Sequence, residues 1–287
     1  MILTPNKVEE YTQKPGIDGL YESIRDAAAV CYQTDVEKMK LEPKEFVEQV
    51  LLKNGHTRPL EFGTVYLTVP FMDITTLNHY RDNPWSKMAY SDGVVFITTN
   101  IRVVMQGGYK TDIEAFNNNY DLNFLADLRY LAEIPVPERH QLRRTFAIIA
   151  SRGATDDMRT HIALSSICES TRFCNYSKDK FGNELTFIDP VWWKNDEGVY
   201  NTLVEDFQID ETKYISASTY CKEAQQLKRI LPLGIKAELR LCGFNDAWEN
   251  FLWRRCDSHA DPECQLVGEE IKRLFTTNPS QTTSVEV

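Results

Sequence analysis

No apolar run in this chain approaches the roughly 20 residues that a membrane-spanning helix needs, and nothing after Met1 has the character of an apolar signal region. Those absences point to a cytoplasmic protein. Basic charge is also short, with 32 Lys and Arg against 42 Asp and Glu and a formal net charge of −10. That balance excludes a general nucleic-acid or membrane-surface binder, so a phosphate ligand would need a local basic pocket. The seven cysteines are odd in number and form no CxxC pair, which reads as reduced thiols. Cys256, His259 and Cys264 are neighbours, but their spacing fits no zinc pattern, and no metal site is predicted. A glycine-rich phosphate loop is missing, since Gly107-Gly108 is an isolated pair. With no internal repeat and no clean linker, one domain is expected over 1–275, followed by a disordered Thr/Ser-rich tail from 276.

What is present is an ordinary globular composition, 42% hydrophobic and 26% charged. Leu20, Ile24, Ala27, Ala28 and Cys31 share one face of a helix predicted over 17–32, with Asp18 as its cap. A second helix is expected over 43–54, with Phe46, Val47, Val50 and Leu51 inward and Gly55 as its stop. Val65, Leu67 and Val69 alternate with Thr64, Tyr66 and Thr68, which predicts a half-buried strand over 62–70. Further strands are expected at 94–104, 143–150 and 235–242. Helices are expected at 112–132, 199–229, 247–255 (capped by Asp246 after a turn at 243–246) and 262–275. Residues 71–93 are polar and aromatic without a period, and read as an insertion or a lid. Strands and helices mix without βαβ alternation, so the fold class is α+β, a mostly antiparallel central sheet flanked by helices.

The stretch from Arg159 to Tyr176 concentrates chemistry: His161, Ser165, Ser166, Ser170, Glu169, Arg159 and Arg172. It carries no hydrophobic period and reads mostly as loop, with Asp156 and Asp157 opening a short helix after Gly153. Arg172 could clamp a phosphate bidentately or make a surface salt bridge. Arg254 and Arg255 close a predicted helix, where a cation meets the dipole favourably whether or not it also binds a ligand. His161 fits a structural role or a ligand contact equally. Cys168 reads as a buried thiol.

Ser170-Thr-Arg-Phe-Cys-Asn-Tyr-Ser-Lys-Asp-Lys-Phe-Gly-Asn-Glu184 resembles the segment that follows the signature of flavin-dependent thymidylate synthases. That signature is Arg-His-Arg, seven residues, Ser, and an Arg two further on. Here Thr160-His161-Ile162 stands in place of the triplet, followed at the right spacing by Ser170 and Arg172. The resemblance implies an α+β homotetramer with sites between subunits. It implies methylation of deoxyuridylate (dUMP) to thymidylate with methylenetetrahydrofolate, FAD and NADPH. On the nucleotide side it points to Ser170, Thr171, Arg172, Lys228 and Cys168, with Arg255 polarising the ring and Arg255 and Ser170 as the catalytic pair. On the FAD side it points to His161, Asn250, Thr160, Ser165, Arg58 and Glu61, and on the folate side to His56. A pyrimidine nucleotide is thus expected between Arg172 and Arg255.

Three cations usual in that family are replaced here by Thr160, Ile162 and Asp246. Each lost charge-assisted contact costs about 1.5–3 kcal/mol, and roughly 1.4 kcal/mol is tenfold in affinity. Two alternatives follow: a homologue that binds a pyrimidine deoxynucleotide without FAD, regulatory or structural in role, or an enzyme for a different pyrimidine C5 modification.

Overall fold

The computed structural model describes residues 1–106, 130–132 and 139–277. Among them are strands β1 (Ile2–Thr4), β2 (Lys7–Tyr11), β3 (Thr64–Pro70), β4 (Lys87–Ser91), β5 (Val94–Asn100), β6 (Arg143–Ser151), β7 (Ser165–Cys168), β8 (Thr186–Ile188) and β9 (Lys236–Phe244). The helices are α1 (Gly16–Tyr32), α2 (Pro43–Phe46, widening to a π-helix over Val47–Leu52), α3 (Ile74–Arg81), α4 (Ile101–Met105) and α5 (Arg152–Met158). They continue with α6 (Glu197–Tyr220), α7 (Ala224–Leu227), α8 (Asn245–Arg255) and α9 (Pro262–Thr277).

The expected α+β class holds. The central sheet has the order β2-β6-β9-β7 and is antiparallel throughout. A second antiparallel sheet has the order β3-β5-β4, and β1 pairs with β8 in parallel. Strand β6 reads as a continuous apolar run because both of its faces are largely covered. Phe146 and Ile148 on β6 join Leu239 and Leu241 on β9 with Trp248, Phe251 and Ile271 from α8 and α9. A separate core unites Val65, Leu67 and Val69 of β3 with Ile97 of β5, Leu20 and Ile24 of α1, and Leu51 and Leu52. Gly63 permits the approach of α1: a Cβ there would lie 2.7 Å from Ile24 Cδ1.

Several elements differ from the sequence expectation, each for a local reason. The 159–176 stretch is mostly loop, as expected, but it contains one unexpected element, because Ser165–Cys168 is a fully buried strand bonded to β9. Its hydroxyls hid the apolar signal. Helix α5 starts at Arg152 rather than at Asp156, because Ser151 caps it, its Oγ accepting from Ala154 N at 3.1 Å. The strand expected over 94–104 stops at Asn100, whose Oδ1 accepts from Val103 N and opens α4. Asp18 and Asp246 are not caps. They sit in the first turns of α1 and α8, which begin after Pro15 and Phe244, so β9 runs into α8 without the expected turn. The helix expected over 199–229 breaks after Tyr220, leaving α7 as a separate turn.

Residues 71–93 form α3, capped by Asp73, and the edge strand β4. Asp92 and Gly93, at φ 52° and 75°, join β4 to β5; positive φ at both positions is what a two-residue hairpin turn demands. Of the helix expected over 112–132, only 130–132 are described, and there Leu131 bridges Leu67. The tail beyond Thr277 also lies outside the described residues.

Candidate active site

After α5 the chain turns through 159–164 before re-entering the sheet as β7. A cleft of about 770 Å³ lies between that turn, α8 and the edge strand β4, lined among others by Lys87, Thr160, His161, Asp246, Asn250, Trp253 and Arg255. His161 is buried against Phe251, ring centroids 4.8 Å apart, and its Nε2 accepts from Arg255 Nε at 3.0 Å. A guanidinium only donates, so Nε2 carries the lone pair and Nδ1 the proton. The ring is also hydrogen-bonded to the Asn250 side chain. Burial first, then the charges of Arg255 and Arg254, push the His161 pKa down to about 4. The imidazole is therefore neutral at pH 7.

That shift carries a pH signature. Between pH 6.5 and 4 the unfolded chain takes up a proton that folded His161 refuses. Stability therefore falls as pH drops through this window, by at most about 1.4 kcal/mol per pH unit for one group. Urea midpoints measured from pH 7 to 4.5 are expected to fall less steeply in His161→Asn than in the wild type. Parallel slopes would mean that His161 titrates normally.

Arg255 is largely engaged by its own chain. Nη2 donates to the Asp157 carbonyl and to Thr160 Oγ1 (3.1 Å), while Nη1 lies 4.0 Å from Asp157 Oδ2. It fastens the end of α8 to the turn after α5 and fits the dipole at the α8 C-terminus. Ile162 is 88% exposed at the lip of the cleft. Asp246 is neutralised by Lys87 from β4 at 2.6 Å.

The other residues singled out in the sequence lie elsewhere. Ser170 N donates to the Cys31 carbonyl, and Arg172 N to Ser170 Oγ at 3.4 Å. Arg172 is not among the residues lining the cleft, and its guanidinium lies 5.8 Å from the Phe173 ring on a different surface. Phe173 packs on Tyr32 at 5.0 Å, and the Tyr32 hydroxyl bonds His56 Nδ1 at 2.8 Å, so His56 belongs to that surface too. Ser165 is buried and accepts from Arg143 Nη2 at 3.3 Å. Cys168 is buried with its sulfur 3.1 Å from Arg152 Nη1, and burial raises its pKa. Lys228 is exposed at the end of α7. Arg159 turns to Asp156 at 3.0 Å rather than into the cleft.

Arg58 and Glu61 line a second pocket, which also takes in Ile162. Arg58 Nε and Nη2 donate to the carbonyl and hydroxyl of Ser166, and Glu61 accepts from Arg102 Nη1. Sequence reasoning missed Lys87, Trp253, Asn100 and Arg102. The Asp92-Gly93 turn could have placed Lys87 on a hairpin. No local signal could have aimed it at Asp246, 159 residues away. Among the described residues, no group of three or more His, Cys, Asp or Glu could hold a metal ion.

Compared with models of protein families, residues 140–278 match the family Thy1, described as thymidylate synthase complementing protein. No curated protein matches the chain. The matched segment contains β6, α5, β7, β9, α8 and the cleft turn, while His56, Arg58 and Glu61 precede it.

Proposed function

We propose that this chain, whose residues 140–278 match the Thy1 family model, is a flavin-dependent thymidylate synthase that methylates dUMP to thymidylate with methylenetetrahydrofolate as one-carbon donor and FAD and NADPH as redox partners. The observation that carries this reading is the convergence of a neutral His161, Asn250 and Arg255 on one cleft of the matched segment.

The donor set fits the polar edge of a flavin. Asn250 can both donate and accept, and His161 is neutral. The cleft volume of about 770 Å³ lies within the roughly 300–1,000 Å³ typical of ligand sites. FAD, when bound there, supplies reducing equivalents to the transferred one-carbon group. His161, Asn250 and Thr160 would hold it, with Arg58 and Glu61 at the neighbouring pocket and Ser165 supporting the turn through Arg143. Arg255 Nη1, the guanidinium nitrogen least engaged by the chain, would meet a pyrimidine oxygen and stabilise negative charge developing on the ring. Ser170, Thr171 and Arg172, with Lys228, would take the nucleotide and His56 the folate, and Cys168 would flank them without acting as a nucleophile.

Within one chain, Arg172 and Arg255 line different surfaces. The reading therefore requires a second copy to bring its 170–172 surface to this cleft, as in a homotetramer with sites between subunits.

A second reading, a homologue that holds a pyrimidine deoxynucleotide without flavin, draws on the phosphate side of the cleft. Thr160 and Ile162 supply no charge, and Lys87 is spent on Asp246. Titration of the purified protein with FAD separates the two. Saturable binding in the micromolar range (roughly −8 kcal/mol) with a flavin absorbance band is expected. A colourless protein that still binds dUMP would give the ground to the second reading. Growth of a thymidine auxotroph carrying the gene then tests thymidylate formation against another C5 modification.

A further inference from the structure

The pocket beside Ile162 holds an unspent set of donors. It measures about 310 Å³ and is lined by Arg58, Glu61, Trp85, Asn100 and Arg102 together with Ile162 and Leu164. Asn100 is 1% exposed. Its Oδ1 is committed to capping α4 by accepting from Val103 N at 3.1 Å, which fixes the orientation of the amide. Nδ2 is left without a partner among the described residues, and a buried donor in that state costs about 1–3 kcal/mol. Arg102 repeats the pattern: Nη1 donates to Glu61, while Nε is buried and without a partner among the described residues. Two arginines face one carboxylate, so the pocket is net positive in a protein of formal charge −10. Trp85, Ile162 and Leu164 supply the apolar wall.

We propose that this pocket is a binding site for an oxyanion carried on a single aromatic ring, a carboxylate or a phosphate monoester. The oxyanion takes Asn100 Nδ2 and Arg102 Nε, and the ring lies along Trp85 and Ile162. The volume is at the lower limit of the roughly 300–1,000 Å³ of ligand pockets, which suits one ring and its anionic group. Asn100, Arg102 and Trp85 lie outside the matched segment and have no role in the reading above. Arg58 and Glu61 also line the pocket and stand beside FAD in that reading, so the proposal rests on it in treating this side of the cleft as a ligand-binding region, and its own groups are those the reading leaves unused.

The test titrates the full chain with benzoate, phenyl phosphate, inorganic phosphate and benzamide, following tryptophan fluorescence. At least one of the two aryl anions is expected to quench saturably, the tighter one identifying the head group, and Trp85→Phe to remove the quench. Benzamide, a ring without charge, is expected to do nothing, and inorganic phosphate to bind more weakly than phenyl phosphate. Asn100→Asp keeps the acceptor that caps α4 but replaces the donor with negative charge, so it should weaken the aryl anion by about tenfold or more. Should its melting temperature fall too far to titrate, Arg102→Lys decides, since it keeps a cation for Glu61 and loses Nε. No saturable quench with either aryl anion, or unchanged affinity in the titratable variant, overturns the site. Inorganic phosphate binding as tightly as phenyl phosphate overturns the ring contact. A parallel FAD titration of Asn100→Asp keeps the two proposals apart: retained FAD binding with lost aryl-anion binding supports this pocket, whereas aryl-anion binding without FAD binding in the wild type defeats only the cofactor reading.

Discussion

Replacing Arg255 with alanine is expected to weaken the binding of a cleft ligand about 100-fold and to destabilise the protein by about 2–4 kcal/mol. Both effects come from one side chain, because its guanidinium bonds His161 Nε2, the Asp157 carbonyl and Thr160 Oγ1. Hydrogen bonds to charged groups are each worth about 1.5–3 kcal/mol, and the variant also leaves the buried His161 acceptor unpaired. With its anchor gone, the 159–164 turn no longer holds His161 and Thr160 at the cleft, so affinity falls even for a ligand that never touches Arg255. Arg255→Lys keeps the charge but loses the fork, and is expected to recover part of the stability and little of the binding. FAD or dUMP titration beside urea unfolding checks both halves. Lost stability with unchanged affinity would reduce Arg255 to a staple between α8 and the turn.

The second large effect lies beneath the Ser170 surface. Glu169→Ala is expected to cost about 3–5 kcal/mol, the usual result of removing one partner from a buried charged cluster. Glu169 is buried, accepts from the Tyr176 hydroxyl at 2.5 Å, from Lys236 Nζ at 3.1 Å and from Glu238 N at 3.2 Å. Burial works against the charge on Lys236, but Glu169 and Glu238 outweigh it and hold its pKa above the ordinary lysine value. Burial and the adjacent Glu169 carboxylate push the Tyr176 hydroxyl far upward, so it stays protonated and donates. Without Glu169, Lys236 keeps only Glu238 and Gln33, and Tyr176 loses its acceptor. The pairing of 168 and 169 with β9 then loosens at the residue before Ser170. Urea unfolding measures the loss. In the double variant Glu169→Leu/Lys236→Met, part of the stability is expected to return, because neither charge is left buried alone. A Glu169→Ala protein within about 1 kcal/mol of wild type would place the network outside the stabilising core.

Elements with a strong period were legible from the residues alone. The alternation of Val65, Leu67 and Val69 appears as a strand with all three buried, and the apolar face of 17–32 as a helix with Leu20 and Ile24 in the core. Where polar side chains serve backbone geometry, periodicity was silent. Ser165 and Ser166 are strand residues whose hydroxyls meet Arg143 and Arg58. Asn100 ends a strand by capping a helix rather than by changing the hydrophobic pattern. The residues of the cleft show the same division. His161, Asn250 and Arg255 were identified by their resemblance to a motif, while the hydrogen bond from Arg255 to His161 joins positions 94 residues apart.

The residues in order were enough to determine the α+β class, the run of the main strands and helices, and the resemblance to the family whose model residues 140–278 match, since these depend on local periodicity and on motif spacing. The tertiary structure decided which charges meet. It tied Asp246 to Lys87, turned Arg255 onto its own chain, set Arg172 on a different surface from the cleft, and left the Asn100 amide without a partner among the described residues. The physical reason is that hydrogen bonds and ion pairs act over a few ångströms between groups far apart in the chain, a distance that no local pattern encodes.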